Sequence, residues 1–202
     1  QVTPGVHGFS GAPRAWRYHY LKDYITKPHI PLNDWLAPQR HLGHNLTKRY
    51  IQFLPYIQQK AEHANPNCSI ENSCLGIHIR HSDKSAGRKI IETDDFLPFV
   101  KQFLAAGGKW VYLATDSSKV IEHIKKRWPE NLQRVIRSMG DDIVRSSNEE
   151  AVFDIGAHHR TNQEVLIEIL ALSKCQFMIH GLSAVTESSI WINVDLHYTS
   201  VN

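Results

Sequence analysis

The chain has 202 residues, of which 42% are hydrophobic, and this is enough to bury a core without disulfides or bound metal. Its net charge of +3 is small and its basic residues are interleaved with acidic ones, which argues against nucleic-acid binding. No apolar run approaches the roughly 18 residues that a membrane-spanning helix needs. We therefore expect one ordinary domain, with room for a small addition.

The ends of the chain and its cysteines give further expectations. The sequence does not begin with methionine and shows no signal peptide, so we expect it to be cut from a longer protein. Cys68 and Cys74 flank the stretch SIENS and can close a small loop, whereas Cys175 opens an apolar strand and is expected to be a buried thiol. Two N-glycosylation sequons, at Asn45 and Asn67, favour a secretory origin slightly.

The N-terminal part of the chain mixes irregular and helical patterns. Residues 1–13 are rich in glycine and proline, which predicts a loop. Residues 15–25 are predicted to form a helix, and residues 28–38, with three prolines, an irregular stretch. Residues 45–63 are predicted to form one helix, although Pro55 weakens its pattern.

From Cys74 onward, apolar strands alternate with helices that begin at capping residues and end at glycine or proline. The predicted strands cover residues 75–80, 109–115, 132–138 and 175–180, and the predicted helices cover residues 93–107, 118–128, 161–173 and 183–191. The polar stretch 146–156 is predicted to be a loop. The alternation predicts an α/β fold: a Rossmann-like, doubly wound parallel sheet in residues 74–202, preceded by a loop and helical segment in residues 1–73.

Polar clusters stand at three predicted strand ends, at residues 78–81, 115–117 and 180–183. Ligands of such sheets bind outside the carboxyl ends of the strands, so we expect these clusters to meet in one crevice. The guanidinium of Arg80 suits a diphosphate, and Lys84 adds a second positive charge. Neither the glycine-rich dinucleotide loop nor a P-loop is present in the sequence.

These residues also have ordinary structural explanations. Arg80 can form a surface ion pair with Asp83 or Asp116, and Asp116 with its neighbours can cap the next helix. The sequence has no HxxxH helix, no CxxC and no Asp-x-Asp pattern, which disfavours a metal site, and it has no complete nucleophile elbow.

Glu168 lies in a predicted helix that is apolar nearly all round, so its carboxylate requires a partner. An internal ion pair with His158 or Arg160 is one possibility. A planar ligand that offers two adjacent N–H groups, as guanine does, is the other.

Three stretches together resemble the motifs of one enzyme family. GIHIRHSDK (76–84), VYLATDSS (111–118) and residues 158–185 are similar, in order and spacing, to motifs of the α1,6-fucosyltransferases that modify the core of N-glycans. The Arg80–His81 pair is similar to the bacterial nodulation fucosyltransferases. The resemblance extends from about Gly11 to Trp191.

This resemblance implies a glycosyltransferase of two Rossmann-like lobes (the GT-B architecture) that transfers fucose from GDP-fucose to a glycan acceptor with inversion. It implies no metal and no cofactor beyond the donor substrate, no nucleic-acid partner, and a glycoprotein resident in the Golgi lumen. The chain corresponds to the donor-binding lobe with the helices before it. We expect the acceptor-side lobe to be missing, which would leave the chain inactive alone.

The resemblance also implies roles for individual residues. His78 and Glu168 would hold guanine, and Arg80 would grip the β-phosphate, where negative charge develops as the fucosyl–phosphate bond breaks. The further residues implied to line the donor site, around the phosphates and the sugar, are His81, Asp83, Lys84, Asp116 and Ser183.

The catalytic base departs from the family pattern. Arg88 stands where the family has a glutamate, and Glu92 is the nearest substitute. A non-catalytic module that binds a nucleotide or a glycan is therefore the alternative interpretation. A flavodoxin-like signalling domain is disfavoured because it leaves the cluster between His78 and Lys84 without a role.

Overall fold

The computed structural model describes residues 32–66, 68, 73–81, 91–140, 143–147, 152–156, 158–181 and 183–201. The chain divides into two compact units, Gln1–Gly43 and His44–Asn202. The predicted helix over residues 15–25 lies outside the described residues, and the predicted domain boundary after residue 73 stays a prediction. No helix in the described part of the chain is both long and apolar enough to cross a membrane.

Among the described residues, two helices come before the sheet, α1 (Leu32–Tyr50) and α2 (Pro55–Ala64). The prediction of an irregular stretch over residues 28–38 was wrong from Leu32 onward, because one proline, Pro38, removes a single hydrogen bond and the surrounding turns remain helical. The single helix predicted over residues 45–63 is in fact interrupted. Pro55 stands in the first turn of α2, where no amide hydrogen is needed, so it starts a new helix instead of kinking one.

In the part of the chain that the structure describes, five parallel strands form one sheet. In chain order the strands are β1 (Cys74–Ile79), β2 (Trp110–Thr115), β3 (Ile136–Arg137), β4 (Phe177–His180) and β5 (His197–Ser200). Their order across the sheet is β3-β2-β1-β4-β5, with β1 at the centre. This order reverses direction at β1, as in a doubly wound sheet, and the predicted Rossmann-like α/β class is confirmed.

Helices connect these strands. They are α3 (Leu97–Ala105), which a 3₁₀ turn at Thr93–Phe96 precedes, α4 (Ser118–Arg127), α5 (Glu130–Gln133), α6 (His158–Ser173) and α7 (Ala184–Ile192). The strand predicted over residues 132–138 was wrong in its first half, because Leu132 and Gln133 belong to α5. The edge strand β5 was not predicted; it is short and largely exposed, so it lacks the apolar pattern of a buried strand.

Alternating residues of the strands face two different cores. On the face that α3 and α4 cover, Leu75, Ile77 and Ile79 belong to one hydrophobic cluster. On the other face, Tyr112 and Met178 pack in a second cluster that includes Leu172 of α6. Every residue of β1 is buried, as predicted for a central strand with helices on both faces.

Gly76 allows α6 to lie close to the sheet. A Cβ atom at this position would meet Leu172 Cδ2 at 3.0 Å and Cys175 Sγ at 3.1 Å. The missing side chain therefore sets how near α6, which carries Glu168, can approach the central strand.

Candidate functional site

A cavity of about 180 Å³ opens at the carboxyl ends of β1 and β2. The residues that were predicted from the sequence and that line it are His78, Arg80, Asp116 and Glu168. Three elements bring them together, because the parallel strands β1 and β2 end at the same edge of the sheet and α6 forms part of the cavity wall. The predicted convergence of strand ends on one crevice is thus observed for β1 and β2.

Arg80 and Asp116 are joined across the ends of the two strands. Arg80 Nε lies 3.4 Å from Asp116 Oδ2, and the other carboxylate oxygen accepts a hydrogen bond of 3.0 Å from the backbone N–H of His81. The side chains of Arg80 and Asp116 are 24% and 20% exposed, so a ligand can still reach them. The ion pair considered from the sequence is present, and it orients the guanidinium at the mouth of the cavity.

Glu168 is a buried carboxyl group on the cavity wall. Its Oε1 atom has no hydrogen-bond partner among the described residues, and the backbone N–H of Thr115 donates a hydrogen bond to the group. Burial raises the pKa of Glu168 to about 8, with smaller effects of the same sign from Asp116 and Glu164. The carboxyl is therefore mostly protonated at pH 7 in the free protein, and a partner that favours its charged form would ionise it.

Arg145 is the positively charged residue that acts on Glu168. It lowers the pKa of the carboxyl and so opposes the larger effect of burial. The backbone carbonyls of Met139 and Gly140 hold this guanidinium at 3.0 and 3.2 Å. The ion pair suggested with His158 or Arg160 is not what the structure has. Arg160 Nε instead donates to Glu164 Oε1 at 2.8 Å on the same helix.

Two further polar atoms are buried near Glu168 and have no hydrogen-bond partner in the described part of the chain, Tyr112 Oη and Thr161 Oγ1. Thr161 lines the cavity, and the pKa of Tyr112 is raised well above its usual value by burial and by the charge of Glu168. An unsatisfied buried polar group costs about 1–3 kcal/mol, so the unpaired atoms of Glu168 and Thr161 on the cavity wall indicate a place for a polar ligand.

Sequence reasoning missed Tyr112, Thr161 and Arg145. The only available signal for Tyr112 was a hydroxyl group in an otherwise apolar strand. Nothing in the local sequence distinguishes Thr161 or Arg145, because their positions depend on how α6 and the segment after β3 pack against the sheet.

Two histidines lie side by side on the central strands, His78 of β1 and His180 of β4, which are paired in the strand register. Both are buried, at 4% and 1% exposure. His180 Nδ1 donates to the carbonyl of Gly181 at 3.0 Å. The ring of His180 packs edge-on against the ring of Tyr198, with 5.9 Å between the ring centroids. His78 lines the cavity, whereas His180 does not.

The other described residues that were predicted for the site have structural contacts and do not line the cavity. Ser183 caps α7, where its Oγ accepts a hydrogen bond of 3.3 Å from the N–H of Val185. His81 Nε2 donates to the carbonyl of Ile91 at 2.8 Å. The roles expected of these two residues in donor binding stay predictions.

Glu92 is the N-cap of the 3₁₀ turn, and its N–H donates to Asp95 Oδ2 at 3.0 Å in a reciprocal capping box. The side chain is exposed. Its assignment as a catalytic base stays a prediction. Asp83 and Lys84, expected to support the phosphates, lie outside the described residues.

No family model matches the chain. Among solved structures it is similar to NodZ, an α-1,6-fucosyltransferase crystallised with GDP, with 15% identity and a TM-score of 0.44 over 75% of this chain and 45% of that one. It is also similar to POFUT1 in complex with GDP (10% identity, TM-score 0.43, 76% and 48% covered) and with GDP-fucose (12%, 0.41, 85% and 51%). The chain spans about half the length of these proteins.

Proposed function

We propose that this chain is the donor-binding lobe of a fucosyltransferase-like glycosyltransferase and binds GDP-fucose for inverting transfer of fucose to a glycan. The observation that carries the proposal is the buried carboxyl of Glu168, whose Oε1 lacks a partner among the described residues and lines the same cavity as Arg80. Two of the three motif-like stretches, residues 76–84 and 158–185, contribute these residues.

The size of the cavity suggests which part of the donor it takes. At about 180 Å³ it is smaller than the roughly 300–1,000 Å³ of pockets that enclose a whole drug-sized ligand. A single base fits this scale better than a complete nucleotide sugar. The base would enter between His78 and Glu168, and the diphosphate would lie at the mouth.

Glu168 supports guanine in particular. The Watson–Crick edge of guanine offers two adjacent N–H donors, and an ionised carboxylate accepts both. Binding then favours the charged form of a group that is mostly neutral in the free protein, so binding releases a proton. Adenine offers one donor beside one acceptor, which a protonated carboxyl would match, and this makes ADP an informative competitor.

Arg80 supports the diphosphate. Its charge is permanent and its planar fork can meet two oxygens, while Asp116 fixes its direction from the side. The N-terminus of α7, through Ala184 and Val185, forms another part of the cavity wall and adds a positive dipole end. Both would stabilise the negative charge that develops on the leaving diphosphate.

A non-catalytic nucleotide- or glycan-binding module is the second candidate. The observation that favours it is the position of Glu92, whose backbone and side chain are engaged in a helix cap. An enzyme requires an acid placed to take the proton of the acceptor hydroxyl, and Glu92 does not line the cavity. The glycan acceptor and the Golgi location remain part of the proposal through the motif resemblance alone.

Calorimetric titration with GDP-fucose, GDP, ADP and UDP tests the proposal. We expect GDP and GDP-fucose to bind at least tenfold more tightly than ADP or UDP. Equal affinity for all four would remove the guanine assignment. Transfer of fucose to a mixture of glycans, measured by mass spectrometry with the chain alone, then separates the enzyme from the binding module.

A further inference from the structure

Three sulfur atoms meet at the amino-terminal edge of the sheet, the edge away from the candidate donor site. Cys68 and Cys74 form a disulfide, and the thiol of Cys175 lies 3.7 Å from Cys68 Sγ and 3.5 Å from Cys74 Sγ. The latter two cysteines are buried, at 1% exposure for Cys74 and 2% for Cys175, and Cys68 is half-buried. All three sulfurs lie within 4.8 Å of one another.

The side chain of Asn65, which is 5% exposed at the end of α2, completes this group. Its Nδ2 donates to the carbonyl of Ala171 at 2.9 Å and to Cys175 Sγ at 3.5 Å, which fixes the amide plane. Its Oδ1 then faces Cys74 Sγ at 3.7 Å. An N–H donor aimed at a sulfur favours the thiolate, and an amide oxygen is itself a ligand for a hard or borderline cation.

We propose that, in its reduced form, this cluster binds one Zn²⁺ through Cys68, Cys74 and Cys175, with Asn65 Oδ1 nearest to the fourth position. Thiolates bound at about 2.3 Å to a tetrahedral zinc ion lie about 3.8 Å from one another. Cys175 already stands at nearly this separation from both other sulfurs. Only Cys68 and Cys74 need to move apart once their bond opens.

The chemistry balances in two steps. A dithiol reductant transfers two electrons and two protons to the Cys68–Cys74 disulfide and becomes a disulfide itself. One Zn²⁺ then replaces three thiol protons, one from each cysteine, and these are released to solvent.

The position of the site gives it a structural role. It joins three parts of the fold: the segment after α2, the start of β1 and the turn before β4. His78 follows Cys74 by four positions along β1, which corresponds to about 13 Å of strand. Metal binding should therefore stabilise the fold and leave nucleotide affinity unchanged.

The sequence pattern disfavoured metal because it contains no CxxC and no paired histidines on a helix. The three cysteines match no such pattern, since Cys175 is 107 positions from Cys68 and 101 positions from Cys74. Tertiary contact alone brings the sulfurs together.

The test uses the chain reduced with a phosphine, which binds metal weakly, and titrated with Co²⁺ under nitrogen. We expect one Co²⁺ per chain, thiolate-to-cobalt charge-transfer bands, the visible bands of a tetrahedral ion, and displacement by one equivalent of Zn²⁺. Cys175→Ser is the matched variant, because it keeps both members of the disulfide. It should bind Co²⁺ at least tenfold more weakly, and the oxidised parent should bind none.

Circular dichroism recorded with each titration separates folding from binding. If the reduced chain unfolds and refolds on adding Co²⁺ with the same spectrum, the site is supported, because metal binding is then coupled to folding. A reduced parent that takes up no Co²⁺, or a Cys175→Ser variant that binds it as tightly, would overturn the proposal.

Discussion

Arg80 and Asp116 occupy matching positions just beyond two paired strands, and their side chains approach to 3.4 Å between Nε and Oδ2. The register that pairs Ile79 with Thr115 places them opposite each other. One carboxylate oxygen contacts the guanidinium while the other accepts a bond from the next backbone N–H, so the cation is held at the mouth of the cavity in one orientation. A preorganised cation of this kind is suited to an anionic ligand.

The first prediction concerns this cation. Arg80→Ala should reduce the affinity for GDP and GDP-fucose at least tenfold, because a hydrogen bond to a charged group contributes about 1.5–3 kcal/mol. Arg80→Lys should restore little, since lysine keeps the charge without the fork. Titration calorimetry measures the affinity of both variants for GDP and GDP-fucose. His81→Ala is the control, and we expect it to weaken binding less. An Arg80→Ala variant that is folded and binds GDP like the parent would show that Arg80 is only a structural ion-pair partner.

The second prediction concerns the choice of base. Glu168→Gln should weaken GDP binding at least tenfold and reduce its preference over UDP, because a neutral amide cannot accept two N–H groups on one edge as a carboxylate does. In the parent, GDP affinity should rise with pH up to about 8 and then level off, since binding requires the ionised carboxyl. Titrations at pH 6, 7 and 8.5 in buffers of different ionisation enthalpy measure the released proton. A parent whose GDP affinity does not change over this range would contradict the assignment.

The third prediction concerns stability. The folded pKa of Glu168 is about 8, above the value near 4.5 of an unperturbed glutamate, so the native state binds more protons than the unfolded state between these two pH values. The free energy of unfolding should therefore fall as pH rises through this window, by up to about 1.4 kcal/mol per pH unit from this group. Urea unfolding of the parent and of Glu168→Gln at pH 5, 6.5 and 8 isolates the contribution. As pH rises, we expect the free energy of unfolding of the parent to fall relative to that of Glu168→Gln. A difference in this free energy that stays constant with pH would contradict a raised pKa for Glu168.

The fourth prediction concerns metal at the donor site. Among the described residues, the one group of three metal-ligating side chains is the cysteine cluster, and it lies away from the cavity. EDTA should therefore leave the affinity for GDP and GDP-fucose unchanged. Calorimetric titration with and without chelator checks this, and a large loss of affinity on chelation would mean that carboxylates near the phosphates hold a cation.

The fifth prediction concerns the packing that positions Glu168. Gly76→Ala should destabilise the chain by about 1–3 kcal/mol, because its Cβ would lie 3.0 Å from Leu172 Cδ2 and 3.1 Å from Cys175 Sγ. Chemical denaturation measures the loss. The double variant Gly76→Ala with Leu172→Ala should lose less than the sum of the two single changes, since shortening the leucine removes the closest contact. If the two losses of stability add exactly in the double variant, the contact with Leu172 is not the cause of the destabilisation by Gly76→Ala.

By itself the sequence determined three of the five described strands, β1, β2 and β4, and the polar residues at the ends of β1 and β2. Strands covered by helices on both faces are continuously apolar, so β1, β2 and β4 are visible as short hydrophobic runs, and their parallel order follows from the intervening helices. Residues just beyond such strands meet at one edge, and this is why His78, Arg80 and Asp116 were predicted together and line one cavity.

Only the tertiary structure decided what surrounds those residues. Arg145 acts on the charge of Glu168 and Thr161 lines the same cavity, but neither has a local pattern, because each is positioned by the way its segment packs on the sheet. The cysteine cluster likewise depends on contacts over more than a hundred positions. Hydrophobic periodicity records which face of an element is buried, whereas it carries no information about which distant element covers that face.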